Sequence, residues 1–129
     1  SKIVNVFFRD KSISDYSGVS HGTSIAFEAK STNERTRFDL SNIKAHQVKY
    51  LQQHEEQGGK SFYLIHFKKF NETYLIWHQD LYENWWLPAL EGGRKSIPYE
   101  YFKLEAEPVK SRKGVLLDYM KVVRDYAKR

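Results

Sequence analysis

Glu28-Ala29-Lys30 sets a carboxylate and an ammonium two residues apart, and Asp15 lies upstream in a turn-like segment. Side chains of a strand alternate between its faces, so Glu28 and Lys30 would project to one side without any bend in the backbone. Asp15 and Glu28 together can hold a hard divalent cation and leave positions open for water and a phosphate oxygen. The carbonyl of Ala29, between the two charges, is available as a further ligand. A lysine beside them can stand close to the attacking water or the developing charge. The chemistry such a set would perform is hydrolysis of a phosphodiester. The tripeptide alone is common by chance, and an exposed strand face with a Glu beside a Lys is its plainer reading. Three features of context favour the chemical one: the tripeptide ends an apolar strand, an Asp-containing turn precedes it, and a basic helix follows.

The elements that must position these residues are legible in outline. Residues 3–8 form a strand rich in β-branched and aromatic side chains. Asp15-Tyr16-Ser17-Gly18 reads as a turn. Residues 19–21, Gly22 and residues 23–30 read as a hairpin whose second strand is long and central. In that strand Ile25, Phe27 and Ala29 share one face, and Ser24, Ala26, Glu28 and Lys30 the other. Residues 31–37 read as a polar loop. Asn42 is placed to cap a helix over residues 43–57, which Gly58-Gly59 would stop. Residues 61–67 and 72–77 are two more strands around a tight loop, and residues 80–86 a short helix. Residues 92–98 read as a loop, and residues 115–126 as an amphipathic terminal helix with Leu116, Tyr119, Met120 and Val123 on one side. The predicted order is β-β-β-α-β-β-α-α, in one domain over residues 1–129.

Composition narrows the function classes. The chain has 129 residues, 40% of them hydrophobic and 29% charged, with no low-complexity tract. No apolar run approaches the roughly 20 residues that span a bilayer, and no membrane association is expected. Cysteine is absent, which excludes disulfides, thiolate zinc sites and cysteine nucleophiles. The five histidines show no metal-ligand spacing on a common face. The net charge of +5 suits a polyanionic partner, since phosphates neutralised by Lys and Arg release their counterions.

Asp15 followed by Glu28-Ala29-Lys30 has the pattern of the PD-(D/E)xK nuclease superfamily. Ser14-Asp15-Tyr16-Ser17-Gly18-Val19 and Ile25-Ala26-Phe27-Glu28-Ala29-Lys30 closely resemble the catalytic segment of RecU-type Holliday junction resolvases. Phe38-Asp39-Leu40, His46-Gln47, Gly58-Gly59, Asn71-Glu72-Thr73-Tyr74-Leu75, the loop of residues 92–98 and Leu117-Asp118-Tyr119 resemble that family too, in the same order. The resemblance implies an α/β fold of the restriction-endonuclease kind, a mixed central sheet with helices packed on both faces. It implies a homodimer that binds four-way DNA junctions and nicks two strands symmetrically with Mg²⁺ or Mn²⁺, and no small-molecule cofactor. Asp15 and Glu28 match the metal-holding positions, Lys30 the residue that assists water attack, and Gln47 a position that helps shape the active site. The implied setting is the cytoplasm, with the nucleoid DNA. Proteins of that family carry a further N-terminal segment that includes half of a protruding stalk. Residues 1–11 match the stalk's second half, with Arg9 and Lys11 placed to meet the junction centre.

Other residues fit the same picture. Arg94 and Lys95 follow two glycines that let a backbone approach a phosphate closely. Arg35, Arg37, Lys44 and Lys49 form a basic rim beside the site if they share a face. Trp85-Trp86 reads as core or dimer contact ahead of base stacking. Two other functions stay open: a non-cutting DNA-binding or recombination scaffold on the same fold, and a restriction-type or repair nuclease acting on ordinary duplex. The intact Asp15, Glu28 and Lys30 set argues against the first, and a junction-versus-duplex comparison separates the second.

Overall fold

The computed structural model describes residues 3–7, 16–20 and 22–109. Its frame is a mixed six-stranded sheet in the order β1-β2-β3-β5-β6-β8: β1 (Ile3–Phe7), β2 (Tyr16–Ser20), β3 (Thr23–Thr32), β5 (Lys60–Phe67), β6 (Glu72–Trp77) and β8 (Glu107–Val109). Only β3 and β5 run parallel, with Glu28 opposite Tyr63 and Lys30 opposite Ile65. Parallel neighbours need a crossover, and α1 (Ala45–Glu56) supplies it. A separate two-stranded sheet pairs β4 (Arg37–Asp39) with β7 (Ser96–Pro98).

Alternation along β3 holds as the sequence predicts. Ala26 joins Tyr63, Ile65, Tyr74 and Ile76 on the sheet face that packs against Val48 and Leu51 of α1, and Glu28 follows on that same face. Ile25, Phe27, Phe62, Leu64 and Leu75 are buried on the opposite face, where the rings of Phe27 and Phe62 stack at 4.6 Å. Among the described residues the helices stand on one face; the terminal helix predicted at residues 115–126 lies outside them. The architecture is the mixed central sheet flanked by helices that the sequence led us to expect.

Several boundaries differ from the sequence reading, each for a physical reason. Tyr16, Ser17 and Gly18 are strand, not turn, because they pair with Phe27, Ala26 and Ile25 of the long central strand. The reversal sits at Gly22, whose φ of +80° suits glycine. Asn42 does not cap the helix. It ends a 3₁₀ turn over Leu40–Asn42, Ile43 stays extended with its side chain in the core, and α1 begins after Lys44. Gly58 does end it, at φ +95°, with its N–H bonded to the Glu55 carbonyl. The short helix expected at residues 80–86 is part of a longer helical run: α2 (His78–Leu81), a π-helical turn over Tyr82–Trp86, and α3 (Leu87–Leu90). Pro88 does not interrupt it, since it stands at the start of α3. The loop predicted at residues 92–98 closes on β7, and α4 (Tyr99–Glu105) follows it.

Candidate active site

Glu28 is fully buried, 0% exposed, on the face of β3 that α1 covers. A carboxylate removed from water must be met by donors. Gln47, in the first turn of α1, provides one: its Nε2 donates to Glu28 Oε1 at 3.1 Å. The amide's other end is fixed as well, because Gln47 Oε1 accepts the backbone N–H of Lys44 at 2.9 Å. A helix begins with unsatisfied N–H groups, and a Gln three residues after the cap reaches back to the cap's own N–H. The helix start thus decides which end of the Gln47 amide faces Glu28.

The far end of α1 is tied to the same strand. His54 Nε2 lies 2.9 Å from Ser24 Oγ, and His54 Nδ1 2.7 Å from Ser61 Oγ. Ser61 Oγ donates to the Leu51 carbonyl at 3.3 Å, so it accepts from Nδ1–H. The ring lies so close to Gly59 that a Cβ there would fall 2.3 Å from His54 Cε1. Helix α1 is therefore pinned to β3 at Glu28 and at Ser24.

Beside Glu28, Tyr63 is buried and hydrogen-bonds His78 Nδ1 at 2.8 Å, while His78 Nε2 meets Gln52 Oε1 at 2.9 Å. An amide oxygen only accepts, so Nε2 carries the proton and Tyr63 donates to Nδ1. Burial lowers His78 to about 4, with His54 adding to the effect, which keeps the imidazole neutral. Burial also pushes the Tyr63 phenol up, helped by the Glu28 and Glu55 carboxylates.

Of the residues singled out by sequence, Glu28 and Gln47 touch. Lys30 stands on the Glu28 face of β3, half-buried, and Ala29 is exposed between them. Asp15, Arg9 and Lys11 lie outside the described residues, and among the described residues no three His, Asp or Glu gather as a ligand group. The part of the proposed metal set that is described suits a hard cation in kind: an oxygen donor held by a neutral amide, a partner that does not cancel its charge.

The basic residues divide. Arg35 is exposed. Arg37 is drawn into ion pairs, its Nε 2.8 Å from Asp39 Oδ1 and its Nη1 3.6 Å from Glu34 Oε1. The Asp39 hydrogen bond raises its pKa further. Pairing of β4 with β7 brings the Arg37 segment beside the Arg94–Lys95 loop, with Asp39 opposite Ser96. Arg94 is exposed, its Nε 3.3 Å from Ser96 Oγ, and the Lys95 ammonium donates to the Ala89 carbonyl. The two glycines have a reason inside the fold: Gly92 has φ +91°, and a Cβ on Gly93 would lie 2.6 Å from the Pro88 carbonyl oxygen. Sequence reasoning missed Tyr63, His78, Gln52, His54 and Ser24. Only the Lys44-to-Gln47 spacing, a cap-to-third-residue pair, carried a local signal for the hold on Glu28.

Comparison with known proteins gives the family. The RecU family, described as Recombination protein U, matches residues 1–125. A Holliday junction resolvase RecU of Geobacillus kaustophilus (strain HTA426) is 38% identical over 121 residues, 94% of this chain and 60% of that protein. One from Streptococcus thermophilus (strain ATCC BAA-491 / LMD-9) is 36% identical over 123 residues, 95% of this chain and 61% of that protein. One from Streptococcus mutans serotype c (strain ATCC 700610 / UA159) is 41% identical over 103 residues, 80% of this chain and 51% of that protein. The chain thus spans about three-fifths of the length of the first two relatives. With a match over residues 1–125, nearly the whole sequence, the chain belongs to the RecU family.

Proposed function

We propose that this chain carries the cutting centre of a structure-selective endonuclease that nicks four-way DNA junctions. The observation that carries the reading is the buried Glu28, fixed by Gln47, with Lys30 following on the same strand face. Its similarity to proteins named Holliday junction resolvase supplies the substrate class. Glu28 and Asp15, with the Ala29 carbonyl, would hold Mg²⁺ or Mn²⁺, which when bound activates water and offsets phosphate charge. Gln47 orients the Glu28 carboxylate without neutralising it. Lys30 stands near the water that attacks phosphorus, and hydrolysis proceeds in one step with no covalent enzyme intermediate. Arg9, Lys11, Arg35, Arg37, Arg94 and Lys95 contribute charge along the DNA, with Arg37 contributing least because Asp39 and Glu34 already engage it. The assembly we propose is a homodimer in the cytoplasm beside the nucleoid, with residues 1–11 in a stalk that meets the junction centre. No helix of the described residues is long and apolar enough to cross a membrane.

The test is Mg²⁺-dependent cleavage of a labelled four-way junction beside a linear duplex of the same sequence, with this chain and with Glu28→Ala. Symmetric nicking of the junction alone, lost in the variant, supports the reading. Equal cutting of duplex points to a repair or restriction nuclease. Junction binding without cutting, unchanged when the part of the relatives that this chain does not cover is supplied, points to a scaffold.

A further inference from the structure

The adjacent tryptophans of the π-helical turn are both half-buried against the core, but their free surfaces differ. Trp85 turns inward, its ring packed edge-on against Tyr101 at 5.0 Å. Trp86, next in the chain, lines two surface grooves. The first holds about 310 Å³, at the lower end of the range of about 300–1,000 Å³ typical of small-ligand pockets. Its apolar walls are Leu40 and Ile43 on one side and Trp86 and Leu90 on the other, with Leu90 69% exposed. Its polar groups are Ser41 and Lys95.

The frame of this groove is fixed. The Leu40 N–H bonds the Lys95 carbonyl at 2.9 Å, which ties the Leu40 wall to the Lys95 loop. The Lys95 ammonium bonds the Ala89 carbonyl and so is held at the groove. An ammonium has three donors, and this contact uses one. The second groove along Trp86 carries the Glu56 carboxylate beside Lys49 and is less suited to an anion. A flat aromatic, two aliphatic walls, a hydroxyl and one tethered cation are the complement of a nucleobase with its phosphate: stacking surface for the base and charge for the backbone. A π-turn inside an α-helical run is a frequent companion of functional sites.

The geometry points to the Trp86 groove as a site for one unpaired nucleobase, stacked on Trp86 with a flanking phosphate on Lys95. It rests on the proposed DNA substrate and adds to it a place for a base splayed out of the duplex. The groove adjoins the start of α1, where Ile43 precedes the helix whose Gln47 holds Glu28.

The experiment uses four-way junctions and short single strands carrying 2-aminopurine at an unpaired position, with paired duplex as control, in EDTA so that nothing is cut. Junction cleavage with Mg²⁺ is measured in parallel. Emission should fall on binding at the unpaired position only, and Trp86→Ala should abolish the fall and weaken single-strand affinity at least about fivefold. Trp86→Phe, which keeps a stacking face, should retain most of the signal, and Lys95→Gln should weaken binding while leaving the quench at saturation. Thermal melts identify any variant that fails to fold, and Trp86→Phe with Lys95→Gln then carry the test. A wild-type protein that cuts junctions without any change in emission overturns the groove and leaves the proposed function standing. Emission changes on single strands by a protein that never cuts or binds junctions have the opposite meaning. Loss of self-association in Trp86→Ala, with emission unchanged from wild type, makes the groove a protein interface and overturns the inference.

Discussion

Glu28 is a charged side chain with no exposed surface, and what surrounds it determines how each replacement should behave. Lys30→Ala removes the ammonium proposed to stand near the attacking water and should abolish junction cutting while sparing junction binding in a gel-shift assay; equal loss of both would remove Lys30 from the chemistry. Gln47→Ala takes away a donor to the buried Glu28. It should lower stability by about 1–3 kcal/mol in denaturant titration, the usual cost of losing a hydrogen bond to a buried carboxyl group. Gln47→Glu is the more telling change. A glutamate there can still accept the Lys44 N–H, but it faces Glu28 with a second carboxylate. Two carboxylates in contact cannot both ionise easily, so cutting should need a higher pH than in the natural protein. A pH–rate profile unchanged from wild type would show that Gln47 does not act through Glu28.

At the scale of elements, α1 works as a brace across β3, fixed by Gln47 on Glu28 and by His54 on Ser24. The His54 end depends on the absence of a side chain at Gly59. Gly59→Ala should push the doubly bonded ring out of place, cost roughly 1–3 kcal/mol by overpacking, and reduce cutting although it lies at the other end of the helix. A melt equal to wild type would show that the ring relocates freely. The elements also explain what could be read ahead of the structure. The face of β3 that carries Glu28 and Lys30 was legible, because strict alternation assigns it without any knowledge of neighbours. Strands β5 and β6 were legible from runs of β-branched and aromatic residues. The start of α1 was not, because Ile43 leaves the helical pattern to fill the core and Asn42 only resembles a cap. Strands β4 and β7 are three residues each, too short for alternation to show. The exposed Leu104 blurs the stripe of α4. The Tyr63, His78 and Gln52 chain joins three separate elements, and no spacing in the sequence announces it.

Across the whole molecule, the one described histidine lowered to about 4 sets a pH limit on the fold. His78 is neutral when folded but protonates near 6.5 when unfolded, so the unfolded chain binds more protons between those values. Its contribution is complete above about 6.5 and is lost as pH falls toward 4, up to about 2–3 kcal/mol in all. Chemical denaturation at intervals of pH should show that fall, and His78→Gln should flatten it; the same slope in the variant would place its origin elsewhere.

The double attachment of α1 has a consequence for when the proposed centre takes shape. Its two ties join residues 19 and 30 positions apart, and both require α1 to have formed and docked on β3. Contacts so distant along the chain form late. A newly made or partly melted chain would therefore possess the acidic and basic residues of the proposed centre without their arrangement. In that proposed role, cutting would wait on the docking of α1 onto β3.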